Sequence, residues 1–185
     1  MFARVCDIIF VINYNGDIMF ELFIPDKIFE NFYDITPGCL LDFGIKAVIS
    51  DIDNTLAPYE IAEPTETIIS WVRSLEEAGI KIAFLSNNHA ERVELFNRTI
   101  GVPAYPDAGK PGKKSILFAM SELGVTPEET LMLGDQIFTD VLTGKRVGTR
   151  AFLVPPIKDK KTLFFKAKRL LEKPFLKMYY RRAEK

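Results

Sequence analysis

Apolar residues in this chain fall into short unbroken runs, separated by stretches where they recur every three or four positions. The runs are Lys46–Ser50, Ile80–Leu85, Thr130–Leu133 and Arg150–Val154, with a shorter one at Val102–Tyr105. Runs of this length, apolar on both faces, predict strands buried in a parallel sheet. Between them the spacing predicts a helix over Pro64–Ala78, where Ile68, Ile69, Val72 and Leu75 share a face and Gly79 is the stop. Further helices are predicted over His89–Thr99, Gly112–Leu123 and Ile137–Arg146, each followed by a glycine at 101, 124 or 148. Thr126–Glu129 reads as a turn. Strands alternating with amphipathic helices predict an α/β fold: a three-layer, Rossmann-like parallel sheet with helices on both faces.

Composition changes this picture only at the ends. A chain of 185 residues, 48% hydrophobic, suits one globular domain with a proper core. The formal net charge of −1 gives no reason to expect nucleic acid, but it hides an asymmetry. From Lys158 to Lys185 eleven Lys or Arg face three acids, a local balance of +8, which leaves about −9 on the remainder. Cys6 and Cys39 form no CxxC and have no histidine at zinc-site spacing, so a reducing cytoplasm is the expected compartment. The apolar run Val5–Val11 is interrupted by Asp7 and falls far short of the ~20 residues that span a bilayer; it also lacks the cleavage region of a signal peptide.

In open parallel sheets, ligands bind beyond the carboxyl ends of the strands. That rule brings four segments to one rim: Asp51–Thr55, Ser86–Asn88, the stretch around Lys110, and Gly134–Asp140. Asp51 and Asp53 are two apart on an extended segment, so both carboxylates can face one small site. Two carboxylates in one site are costly unless one is protonated or a cation is bound, and a hard, oxygen-seeking ion such as Mg²⁺ resolves the conflict. Asp135 adds a carboxylate at the next strand end. Asp140 either joins it through water, orients a lysine, or caps the following helix. The Ser86 hydroxyl and the amides after it suit phosphoryl oxygens or a helix N-cap. Lys110, ahead of Pro111, offers a compact charge to phosphate and acids alike, with Lys113 and Lys114 as rivals. His89 caps a helix or lines the rim, and Trp71 fits a helix packed on the sheet.

The order strand-DxDNT, strand-Ser, Lys-Pro, strand-GDxxxxD resembles the haloacid dehalogenase superfamily of phosphatases from about Lys46 to Val154. On that resemblance Asp51 is the nucleophile, Asp53 the general acid and base, and Ser86 and Lys110 hold the phosphate. Asn54, Thr55 and Asn87 assist them, and Asp51, Asp53, Asp135 and Asp140 surround Mg²⁺. Phe23-Ile24-Pro25-Asp26, Asp34-Ile35-Thr36-Pro37 and Gly44-Ile45-Lys46 resemble the YqeG-type branch, in subfamily IIIA, which includes mitochondrial phosphatidylglycerophosphate phosphatases. This likeness divides the chain into an N-terminal extension over 1–18 with Met19 as an alternative start, a phosphatase domain over 19–157, and a basic amphipathic helix over 158–185.

Superfamily members usually take specificity from cap domains, and here there is no room for one: Asp53 to Pro64 is a short loop, and Ser86 to Lys110 holds one helix. An open site suits a phosphate on something large or held at a surface. In the tail, Leu163, Ala167, Leu170 and Leu171 share a helical face with lysines between them, a pattern that lies on an anionic membrane or docks on its own domain. The expected substrate is therefore a phosphorylated lipid headgroup, phosphatidylglycerophosphate, met in the cytoplasm at the inner face of the membrane. Two alternatives stand beside it: a soluble phosphatase for a nucleotide, sugar or macromolecular phosphate, and a non-catalytic adaptor that binds membrane, protein or RNA through its basic tail.

Overall fold

A computed structural model describes residues 20–158 and 163–183. The expectations for residues 1–18, including Cys6, and for Leu163 as a side chain lie outside the described residues. Six parallel strands form one sheet: β1 (Lys27–Ile28), β2 (Ala47–Ser50), β3 (Lys81–Leu85), β4 (Ala104–Tyr105), β5 (Thr130–Gly134) and β6 (Arg150–Leu153), in the order β1-β6-β5-β2-β3-β4. The register sets Ser50 of β2 beside Phe84 of β3 and Leu133 of β5, so the three central strands end level with one another.

Strand side chains alternate between two faces, as the pleat requires. Val48, Ile82, Phe84, Leu131, Leu133 and Phe152 point into one core with the helices α1 (Pro37–Asp42), α2 (Glu66–Glu77) and α3 (Ala90–Asn97). The neighbours between them, Ala47, Ile49, Ala83, Leu85 and Met132, face α4 (Lys114–Leu123). Farther along that face, Ala151 and Leu153 meet Ile137, Val141 and Leu142, the last of which opens α5 (Leu142–Val147). Trp71 of α2 is buried and donates its indole N–H to the Ile35 carbonyl at 2.9 Å, which ties α2 to the segment entering α1.

The helix expected over Ile137–Arg146 is two pieces. Residues Ile137–Val141 form a single π turn, with the Val141 N–H reaching back to the Gln136 carbonyl, and α5 follows. β1 and α1 carry no periodicity long enough to read in the sequence. β1 exists because Asp26 N–H and Phe29 N–H bond the β6 carbonyls of Ala151 and Leu153, while the Asp26 carboxylate accepts from Ala151 N–H at 2.7 Å. α1 starts at Pro37 with the Thr36 hydroxyl accepting from Cys39 N–H.

The last helix, α6 (Leu163–Ala183), packs across the β5–β6 side of the domain. Phe175 stacks with Phe23 and Phe138, Glu172 is 2% exposed, and the Tyr179 hydroxyl accepts from Ile28 N–H. Leu170 and Leu171 are 62% and 60% exposed. The helical face that the sequence marks as apolar is thus turned to solvent, and a face carrying Lys168, Glu172, Phe175 and Tyr179 is turned inward. Among the described residues no cap domain covers the sheet, and no helix is long and apolar enough to cross a membrane.

Candidate active site

Because every strand of the sheet runs the same way, the loops after β2, β3, β4 and β5 meet at one rim and enclose a cavity of about 200 Å³. Asp51 leaves β2 with its N–H still bonded to Leu133 of β5, so its position is set by the sheet itself. The chain then turns sharply: Leu56 and Ala57 N–H return to the Ile52 carbonyl, and Asn54 adopts a left-handed φ of 66°. Asn is one of the residues that tolerates this conformation, which explains its place behind the second carboxylate. Asp51, Asp53, Asn54, Ser86, Asn87, Lys110 and Asp140 all border the cavity.

Lys110 is the hub. Its ammonium lies 2.7 Å from Asp51 Oδ1 and 2.7 Å from Asp140 Oδ1. Burial alone would favour the neutral amine, yet Asp140 and Asp51 outweigh it and raise its pKa above that of an ordinary lysine. Asn87 holds the lysine from behind: its side chain accepts from Lys110 N–H at 2.7 Å and donates to the Lys110 carbonyl at 3.1 Å. The Thr55 hydroxyl donates to Asp51 Oδ2 at 3.1 Å. Ser86 Oγ accepts from Asn88 N–H at 3.0 Å, so it stabilises the turn after β3 while it faces the cavity.

The Asp51, Asp135 and Asp140 carboxylates each offer an oxygen within 4.8 Å of the others. Gly134 permits this: a Cβ there would lie 2.2 Å from the Asp140 Cβ. The π turn swings Asp140 back over β5, where Oδ2 accepts from Gln136 N–H at 3.1 Å and Oδ1 takes the lysine. Asp140 therefore orients Lys110 and caps its own turn at once. Burial pushes Asp51 up to about 7, with Lys110 opposing and Asp140 and Asp135 adding to the rise. Burial and then Asp140 push Asp135 up to about 6, against the pull of Arg169. Three buried carboxylates held by two direct cationic partners, all with hard oxygen donors, fit a Mg²⁺ ion, whose charge would relieve both burial and mutual repulsion.

Asp53, expected beside the other acids at Mg²⁺, borders the same cavity with direct partners of its own. Oδ2 accepts from Asn88 Nδ2 at 3.1 Å and Oδ1 lies 3.2 Å from the Arg92 guanidinium, outside the three-carboxylate group. The pleat does bring both carboxylates to one cavity, but the turn aims them at different partners. The Thr55 hydroxyl is bonded to Asp51, and Thr55 does not border the cavity. His89 precedes α3 and pairs with Asp107 at 2.8 Å on the exposed surface.

Four side chains at the site escape a sequence reading. Arg92, in the first turn of α3, reaches Asp53 and also donates to the Ala62 carbonyl. Gln136 donates to Asp135 Oδ1 at 3.2 Å. Arg169 of α6 donates to the Asp135 carbonyl at 2.6 Å and to Asp135 Oδ2 at 2.5 Å, and Lys168 beside it borders the cavity. In the sequence Lys168 and Arg169 are two charges among eleven; the Arg169–Glu172 spacing of a helical pair is a local signal, beside the apolar periodicity, that part of the tail is helical.

Comparison with known proteins fits this architecture. Residues 57–148 match the haloacid dehalogenase-like hydrolase family. The chain is 34% identical over 156 residues to the probable phosphatase YqeG of Bacillus subtilis, covering 84% of this chain and 91% of that protein. It is 29% identical over 152 residues to phosphatidylglycerophosphate phosphatase 1 of Arabidopsis thaliana, covering 77% of this chain but 44% of that protein's length. The fold is similar to cobalt-bound deoxy-D-mannose-octulosonate 8-phosphate phosphatase from Haemophilus influenzae, with a TM-score of 0.50 at 17% identity over 74% of this chain and 90% of that one. With its acidic rim, its lysine hub and a YqeG relative matched along nearly its whole length, the chain belongs to the haloacid dehalogenase-like hydrolases and is a phosphoric monoester hydrolase of that family.

Proposed function

We propose that this phosphatase works through a covalent phosphoryl group on Asp51 and that its substrate is phosphatidylglycerophosphate at an anionic membrane surface. The observation that carries the chemistry is the Asp51 carboxylate at the cavity, 2.7 Å from Lys110 and held from behind by Thr55. Phosphate monoesters hydrolyse extremely slowly in water, and a covalent intermediate divides one high barrier into two lower ones. Asp51 attacks phosphorus in line with the leaving oxygen. Asp53, two residues on at the same cavity, delivers a proton to that oxygen and later takes one from the water that cleaves the acyl phosphate. Lys110, the Ser86 hydroxyl and the main-chain amide of Asn87 hold the equatorial oxygens as charge builds on them. Asp51, Asp135 and Asp140 would hold Mg²⁺, which supplies charge neutralisation and polarises the phosphoryl group when bound.

The lipid substrate is supported by two features. No cap domain encloses the cavity among the described residues, so a bulky or surface-held ester can reach it. The solvent face of α6 carries Lys166, Lys173, Lys177 and Arg181 around the exposed Leu170 and Leu171, a basic surface with apolar points suited to anionic headgroups. Residues 158–185 then act as the membrane-facing part of the domain over 19–157. The likeness to the Arabidopsis enzyme supports the same headgroup.

The test is phosphate release from phosphatidylglycerophosphate in mixed micelles, with Mg²⁺ or EDTA, for wild type and Asp51→Asn, beside a panel of soluble esters. Mg²⁺-dependent release from the lipid, well above the panel and lost in the variant, is the expected result. Release from soluble esters alone would keep the chemistry and remove the lipid.

A further inference from the structure

The cations of the site differ in what they are bonded to. Lys110 is committed to Asp51 and Asp140, Arg92 to Asp53, and Arg169 to Asp135 and Glu172. Lys168 borders the same cavity, and the hydrogen bond the structure gives its ammonium goes to the neutral side-chain carbonyl of Gln136. It is therefore a cationic side chain on the cavity wall with no carboxylate in direct contact among the described residues; burial lowers its pKa below that of an ordinary lysine, and Asp140, Glu172 and Asp135 oppose that shift.

Its placement is built into the fold. On one side of α6, Glu172 accepts from Ile137 N–H at 2.9 Å, Phe175 packs on Phe23, the Tyr179 hydroxyl accepts from Ile28 N–H, and Arg182 pairs with Glu21. Lys168 lies one helical turn before Glu172 on that side, so a helix fixed along its length carries it to the rim. The lysine is half-buried, as a group meant to meet a ligand rather than bulk water would be.

From this juxtaposition we infer that Lys168 is a substrate-binding residue that reads a second anionic group on the leaving alcohol of a phosphate monoester. The inference rests on the phosphatase reading above and deepens it. Lys110 and the acids are occupied with the transferring phosphoryl group, and the tail helix contributes what a cap domain would otherwise provide: a positive contact for the remainder of the substrate. A phosphodiester set across a short polyol from the scissile phosphate, or a free bisphosphate of the same spacing, has the required chemistry. A single monoester on an uncharged alcohol does not.

The pair of soluble esters that isolates this contact is glycerol 1,3-bisphosphate and glycerol 3-phosphate, which share the alcohol and differ in the second anion. Wild type is expected to favour the bisphosphate in kcat/KM. Lys168→Met is expected to reduce that preference about tenfold, chiefly through KM, and Lys168→Arg to keep most of it. If Lys168 served only to pin Gln136, the Met variant would depress kcat on both esters alike; that outcome, or a wild type without preference, overturns the inference. The same variants assayed on phosphatidylglycerophosphate in mixed micelles distinguish the source: a matching loss assigns the contact to a lipid headgroup, and a loss confined to the soluble ester assigns it to a free bisphosphate. Binding of glycerol 1,3-bisphosphate to Asp51→Asn and to Asp51→Asn/Lys168→Met, by calorimetry, keeps the two readings apart. Tenfold weaker binding in the double variant supports the lysine contact even where no turnover is found, whereas equal binding rejects it.

Discussion

Arg169 and Asp135 are 34 residues apart, and the guanidinium of the first bonds both the main-chain carbonyl and the carboxylate of the second. The contact joins the tail helix to an acid of the catalytic rim. Asp135 is 1% exposed, so its charge depends on whatever cation stands beside it.

Removing that cation has a calculable consequence. Arg169→Ala leaves a buried carboxylate short of a partner, at a cost of about 1–3 kcal/mol. For a domain of this size each kcal/mol moves Tm by roughly 2–4 °C. Thermal denaturation in EDTA should therefore show a drop of several degrees, and added Mg²⁺ should recover part of it. An unchanged Tm would mean that the pair is a surface contact of no energetic weight.

Asp53 sits apart from the three-carboxylate group, between Asn88 and Arg92. Asp53→Asn should still allow Asp51 to take the phosphoryl group but leave water without a base. Steady-state turnover is expected to fall ~10²–10⁴-fold. Intact-mass measurement of the quenched variant should find one added phosphoryl group, absent from Asp51→Asn. Normal turnover by Asp53→Asn would remove it from the proton-transfer role.

The raised carboxylates give the metal-free protein a definite pH dependence. Asp51 at about 7 and Asp135 at about 6 hold protons that the unfolded chain, with ordinary aspartates near ~3.9, has already released. Where the folded state binds more protons, stability falls as pH rises. In EDTA, Tm is expected to decline from about pH 4 to about pH 7, owing to these two groups, and Asp135→Asn should flatten the part of the slope below about pH 6, leaving the part up to about pH 7 to Asp51. A Tm that climbs through this window would contradict the cause assigned here.

Leu170 and Leu171 stand exposed among lysines on the outer side of α6. The protein should co-sediment with vesicles containing phosphatidylglycerol and far less with neutral ones, with binding that weakens as salt rises. Leu170→Glu with Leu171→Glu should abolish that sedimentation and spare the hydrolysis of soluble esters. Indifference of the wild type to anionic vesicles would remove the membrane from the account.

Much of the site could be read before any coordinates. Asp51, Ser86, Lys110, Asp135 and Asp140 each follow a strand, and parallel strands deliver their carboxyl ends to one rim whatever the details of packing. The alternation of Val48 with Ala47 and Ile49, and of Phe84 with Ala83 and Leu85, likewise carries both faces of the sheet in local pattern. The π turn at Ile137–Val141 did not show, because an extra residue in a helical turn leaves the apolar spacing nearly intact. β1 escaped for the opposite reason: two residues held by main-chain bonds to β6 have no pattern to display.

By itself, the sequence determined the layered parallel sheet, the acidic rim and the lysine among the acids, since each depends on residue type and on spacing within one strand-loop unit. Only the tertiary structure decided which partner each charge takes and which side of α6 faces inward. The apolar residues Ala167, Leu170 and Leu171 left open whether their side meets a membrane or docks on the domain; in the structure Lys168, Glu172, Phe175 and Tyr179 form the inward side, because Glu172 and Tyr179 find the main-chain N–H groups of Ile137 and Ile28, and Phe175 finds the rings of Phe23 and Phe138. A helix settles on the side whose polar groups are met as well as its apolar ones, and those partners are supplied by segments remote in the chain, which local periodicity does not encode.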